Sequence, residues 1–223
     1  MKINPEFYLK SIQSTLRLLL HKSLLIHCNQ VILKHTNQVV KITWPNHVSG
    51  DINYGYFNNI EQYRVFLTAS AYTCLLIDGS ILRVCYEFKR GELVRHSLLF
   101  WPAPFPITTN DLIVGGLIEI FDLYSMGQEW QDLLIMRTPM RFDYDPVFTS
   151  AGHPNAHLHM QNKDCRVALS EPMCFNRFVK FIFRTIYPEI YIAFDFWDDL
   201  EITNFVEKEE KSWSGQYHLR WQA

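Results

Sequence analysis

The chain has 223 residues, 48% of them hydrophobic and 15% aromatic, which is enough for one well-filled core and excludes a disordered polymer. A formal net charge of −2 argues against simple electrostatic coating of nucleic acid. The charge is uneven: between Asp195 and Lys211, seven acids (Asp195, Asp198, Asp199, Glu201, Glu207, Glu209, Glu210) face two lysines, an acidic segment that reads as a solvated face or as a competitor for a basic surface.

Pro5 sits where the first turn of a helix tolerates it, and apolar residues then recur near helical spacing, predicting an amphipathic helix over 5–26. "QVILKH" and "QVVKITW" alternate and are β-branched, with a tight turn at "TNQ". A turn-rich stretch, "SGDINYGYFNNI", leads into a short helix at "EQYRVFLTAS". "AYTCLLI", "ILRVCYEF" and "LVRHSLLFW" form an antiparallel meander over 71–101, with a two-residue hairpin turn at Asp78-Gly79 and another turn containing Gly91. After the three prolines of "PAPFPI", Thr109, Asn110 or Asp111 is placed to cap a helix over "LIVGGLIEIFDLYSM". "WQDLLIMRTPMRFDYD" reads as a strand with Pro139 at an edge or bulge, "CRVALS" as a short strand, and "CFNRFVKFIFRTIY" as a helix stopped by Pro188. "YHLRW" reads as a last strand. The fold class expected is α+β, a single domain over 1–223, with an antiparallel sheet, an N-terminal helix and further helices on one face.

Five scattered cysteines, odd in number, read as thiols in a reducing compartment. Arg17, His21 and Lys22 interrupt the N-terminal apolar stretch, and no run approaches the roughly 18 apolar residues of a membrane span. A cytoplasmic protein without membrane contact or cofactor is expected.

Two clusters invite a chemical reading. Asp78 with Glu87-Phe88-Lys89 has the order of a metal nuclease motif. Nine strand steps would separate those carboxylates by about 30 Å, too far to share one ion. The second cluster is "GHPNAHLHM". On a strand, His157 and His159 face the same side, with His153 reaching back across the proline turn. Three readings stand open there. His157, His159, Asp143 and Asp145 are candidate metal ligands. Alternatively, His153 and His157 act as acid and base with Arg166 as the cation, while Arg177, Lys180 and Arg184, on one helix face, hold phosphate. In the third reading the histidines only fix a turn and fill a core.

The strings "HPNAHL", "CRVALSEPM" and "RFVKFIFRTIYP" resemble domain-of-unknown-function family 2290, over about residues 153–188. The order of "LLIDGSILRVCYEF", Asp-Tyr-Asp and the histidines is also similar to small TumE-type toxins of bacterial toxin–antitoxin pairs. By that first resemblance His153, His157 and Arg166 match the family's positions. His159 departs from it, since a small polar residue is implied there, which favours His153 and His157 as the pair. The functional expectation is a toxin-like or defence-associated protein that acts on or binds RNA or DNA, as a metal-independent ribonuclease. The alternatives are a non-catalytic subunit binding nucleic acid or a protein encoded in the same operon, and a metal-dependent hydrolase.

Overall fold

The computed structural model describes residues 2–47, 60–127, 130–148, 153–160, 165–205 and 218–219. Helix α1 spans Pro5–His21, capped by the Asn4 side chain on Glu6 N–H at 2.9 Å. It ends well before residue 26. Ser23 takes a left-handed backbone (φ 57°) and lets Leu24 N–H close on Leu19 C=O, after which the apolar run Leu25–Cys28 extends as β1.

The described strands form one sheet. β2 (Ile32–Thr36) and β3 (Val39–Thr43) are a hairpin, followed by helix α2 (Ile60–Thr68). The expected meander is present as β4 (Cys74–Leu76), β5 (Ile81–Lys89) and β6 (Glu92–Trp101). Its two turns differ from each other. Arg90 and Gly91 both have positive φ and join the Lys89–Glu92 pair, the two-residue turn suited to strand twist. At Asp78-Gly79 the loop has three residues, with Leu76 N–H on Ser80 C=O, Gly79 at φ 82° and Asp78 accepting Ser80 N–H.

The predicted helix after the prolines divides at Gly115-Gly116 into α3 (Thr109–Val114), capped by Thr108 and Asp111, and α4 (Leu117–Met126). The long strand predicted from Trp130 is corrected to a single helical turn α5 (Trp130–Leu133) and a short strand β7 (Met140–Tyr144) that starts after Pro139. β8 (Ala156–Met160) and β9 (Arg166–Leu169) extend the sheet. Helix α6 (Phe175–Ile186) stops at Tyr187, and Pro188 opens α7 (Pro188–Ala193). β10 (His218–Leu219) lies parallel to β9, and the other pairings are antiparallel, in the order β1-β4-β5-β6-β7-β8-β9-β10 with β3 also on β5.

Period-two alternation sends Leu82, Val84, Leu98, Phe100, Phe142 and Leu158 to one face, beneath α1 and α6. Phe142 meets Phe178 and Phe181 at ring distances of 5.7 and 5.3 Å. A second, smaller core lies on the opposite face, where Ile81, Leu99 and Trp101 meet Tyr63, Phe66 and Phe121 of α2 and α4. That group includes no residue of β7–β9, whose side chains on this face include Asp143, His157, His159 and Arg166. The five cysteines are free, and Cys74, Cys85 and Cys174 are buried. Among the described residues, no helix is long and apolar enough to cross a membrane. Glu207, Glu209 and Glu210 of the acidic segment lie outside the described residues.

His96, 1% exposed, points into the larger core, where its Nε2 accepts Met173 N–H at 3.0 Å. Burial lowers its pKa to about 4, whereas in the unfolded chain it titrates near 6.5. Between those values the unfolded chain binds the proton and the folded one does not. Stability therefore falls as pH drops from about 6.5 to about 4, by at most about 1.4 kcal/mol per pH unit for this residue. His96→Gln keeps an acceptor and removes the titration. Urea unfolding across this window is expected to give a shallower pH slope for the variant, and an unchanged slope would refute the assignment.

Candidate functional site

Two rows of side chains cross the polar stretch of the sheet. Ser97, Asp143, His157 and Ala168 stand directly opposite one another on β6 to β9, and beside them run Leu99, Arg141, His159 and Arg166. Directly opposed residues share a face, so the alternation that buries Phe142 and Leu158 under α6 projects Asp143, His157 and His159 to the other side.

Asp143, His157 and His159 each offer one ligand atom within 4.8 Å of the others. His157 Nδ1 lies 2.8 Å from Pro154 O. A carbonyl only accepts, so Nδ1 carries the hydrogen and neutral His157 presents a bare Nε2. That Nε2 faces His159 Nε2 at 2.9 Å, and His159 Nε2 is 3.4 Å from Asp143 Oδ2. Arg141 Nε donates to the same Oδ2 at 2.7 Å. His153 stands over His157 with ring centres 4.6 Å apart and planes at 70°. His153 Nδ1, His159 Nδ1, Asp143 Oδ1 and Arg166 Nε are buried without a hydrogen-bond partner.

His157 and His159 are only 1% and 2% exposed. The side chain of Asp143 is 19% exposed, and His153 and Arg166 are half-buried. Burial, then the neighbouring His159, lowers the His157 pKa to about 4 against an opposing pull from Asp143. Burial acts to raise the Asp143 carboxyl, but the Arg141 charge and hydrogen bonds from His159 and Ser97 hold it well below the usual carboxylate range.

The sequence-predicted residues divide. His153 packs on His157, Arg166 stands across from His159 on the next strand, and His157, His159 and Asp143 are brought together. Asp145 is not among them: its carboxylate accepts Val147 N–H at 3.1 Å and faces Arg95 at 3.8 Å. The helix stripe lies elsewhere. Arg177, Lys180 and Arg184 sit on α6, which packs on Phe142 from the face opposite Asp143. There Arg177 pairs with Glu171 and Lys180 with Asp198, while Arg184 is exposed. In the nuclease-like stretch, Asp78 binds the turn, Arg137 and Tyr187, and Glu87 pairs with Lys41 at 2.8 Å, at opposite ends of β5. Arg141 and Ser97 were missed by sequence reasoning. For Arg141, the signal was its period-two spacing from Asp143 in "RFDYD".

A family model for DUF2290, described as an uncharacterized conserved protein, matches residues 24–221. No curated protein and no solved structure matches the chain.

Arg141 and Asp143 form a largely enclosed pair, at 12% and 19% side-chain exposure. Removing one partner of such a pair strands the other's charge. In metal-free buffer, Asp143→Ala is expected to cost about 3 kcal/mol, and Arg141→Met added to it to recover part of that loss. A double-mutant cycle by urea unfolding should give a coupling on the order of 1–3 kcal/mol. Strict additivity would show that the pair is inconsequential.

Proposed function

The chain belongs to the DUF2290 family, whose description carries no activity, and from the site itself we propose that it is a metal-dependent hydrolase centred on Asp143, His157 and His159. One observation carries this reading: three ligand atoms converge, with at most one hydrogen between the two histidines and the hydrogen on Asp143 Oδ2 supplied from outside the cluster by Arg141. His157 Nε2 has none, Asp143 Oδ2 has none of its own, and His159 Nε2 has at most one to serve both neighbours. A cation satisfies all three lone pairs at once.

Two of the three ligand separations match those around an ion, and the third, between His157 and Asp143, is within 4.8 Å. Ligands held about 2.1 Å from a metal lie about 3.0 Å apart at adjacent octahedral positions and about 3.4 Å apart on a tetrahedron. The nitrogens are 2.9 Å apart and the nitrogen–oxygen separation is 3.4 Å. The His157 Nδ1–H bond to Pro154 is the backbone contact that commonly fixes the tautomer of a metal-bound histidine. Two imidazoles and one carboxylate suit Zn²⁺, Mn²⁺ or Fe²⁺ and leave coordination positions for water. A divalent ion here would lower the pKa of a bound water and supply hydroxide near neutral pH.

The metal-free ribonuclease reading has less support. Its phosphate-holding stripe lies on the far face, and His157 Nε2 faces His159 instead of an open surface.

Protein dialysed against Zn²⁺ or Mn²⁺ and desalted is expected to hold one ion per chain by elemental analysis. His157→Ala and His159→Ala should each weaken binding at least a hundredfold, with Arg184→Ala as an unaffected comparison. Chromogenic ester, amide and phosphate-ester substrates then test hydrolysis, with turnover lost on chelation and restored by the ion. Less than a tenth of an ion per wild-type chain under both conditions would sink the metal reading.

A further inference from the structure

The metal reading places a charge imbalance on the sheet. A divalent ion brings two positive charges, Arg141 and Arg166 one each, and Asp143 is the single carboxylate within the cluster. Arg64, Arg95, Arg137, Arg141 and Arg177 each sit against a carboxylate. Arg166 makes no ion pair among the described residues, and its Nε–H is buried without an acceptor. It stands directly across from His159, on the face the ligands share. Asp143, the carboxylate of the cluster, already takes Arg141.

A guanidinium left with an unused, desolvated N–H is unfavourable unless an anionic acceptor arrives. Its planar fork matches the oxygens of a tetrahedral oxyanion, and a second oxygen of the same anion is free to reach the ion. The charge also constrains where the anion lies. A carboxylate carries no hydrolysable bond at its charged carbon, whereas a phosphate ester carries charge and scissile bond on one phosphorus. Resting on the metal-dependent reading above, we propose that the substrate is a phosphate ester, held by the Arg166 guanidinium through a non-bridging oxygen beside the Asp143–His157–His159 ion. One water is consumed. Its oxygen bonds to phosphorus, the ester P–O bond breaks, one proton of the water goes to solvent and the leaving oxygen takes one up.

The test uses the full chain loaded with the ion it retains. Inorganic phosphate is titrated calorimetrically, with sulfate as the comparison anion. Turnover is read with 4-nitrophenyl phosphate, bis(4-nitrophenyl) phosphate, 4-nitrophenyl sulfate and 4-nitrophenyl acetate. Wild type is expected to bind phosphate and to turn over a phosphate ester faster than the sulfate or the acetate. Faster monoester turnover identifies a small phosphorylated substrate, and faster diester turnover a nucleotide backbone. Arg166→Ala should lose at least a hundredfold in kcat/KM and tenfold in phosphate affinity with its metal content unchanged. Arg166→Lys, which keeps the charge and the fold but not the fork, should lose at least tenfold in kcat/KM. A metal-loaded protein that ignores phosphate, prefers the acetate or sulfate, or is indifferent to both Arg166 variants overturns the phosphate assignment. A protein that holds no ion overturns the underlying metal reading instead.

Discussion

The pleat of β7, β8 and β9 governs both halves of this molecule. Phe142 and Leu158 point toward α6 because they alternate with Asp143, His157 and His159, which then have no choice but to share the other face. The apolar side supplies the driving force, since burying each large side chain contributes about 1.5–3 kcal/mol. The polar side contributes little to that sum and inherits its geometry from it. A slip of β8 by one residue along β7 would put its imidazoles under α6 and Leu158 at the site, so core packing and site register are the same constraint.

Much of the fold was legible because local and tertiary preferences agree. The meander over 71–101 contains Gly91 where a positive φ is required, and the structure keeps its three strands and that turn. The misreadings occur where a local signal is ambiguous. Leu24 to Ile26 continue a helical apolar spacing, yet Ser23 ends the helix and sheet pairing with Leu76 and Leu75 captures the run as β1. The stretch after Trp130 reads as apolar and extended, but Pro139 removes a ladder N–H and β7 begins only beyond it. The three-residue loop at Asp78 was read as two because Asp-Gly serves both turn types, and the choice depends on the Leu75–Ile81 register.

The site was legible in part for a comparable reason. Residues two apart on one strand share a face, so His157 with His159 and Arg141 with Asp143 were available from spacing. That β7 and β8 are neighbours in a register placing Asp143 opposite His157 is long-range information that neither strand contains. Helical periodicity correctly gathered Arg177, Lys180 and Arg184 on one face of α6, but sequence proximity to the histidines is no guide to which side of a sheet a helix packs on. The resemblance to DUF2290 implied His153, His157 and Arg166; His153 packs on His157, and Arg166 stands across from His159. The geometry adds His159, the residue that departs from the implied pattern, as the second ring nitrogen in the cluster.

The polar stretch is difficult to explain as scaffolding. Four buried side-chain atoms without a hydrogen-bond partner, on His153, His159, Asp143 and Arg166, fall within one small region of a single sheet face. Each unsatisfied buried group costs about 1–3 kcal/mol, a large share of a typical domain's stability when summed. Leu99 occupies the same row between Arg83 and Arg141 and shows that an apolar side chain fits this face. Nor does the group behave as a self-contained buried network, because such networks hold a fold together only when every member is satisfied. Here the ligand atoms of Asp143, His157 and His159 converge, and an unpartnered guanidinium N–H belongs to the residue directly across from His159. Acceptors gathered at one point want a cation, and a donor beside them wants an anion. Both deficits have the sign that the proposed arrangement, an anionic substrate beside a bound metal ion, would satisfy.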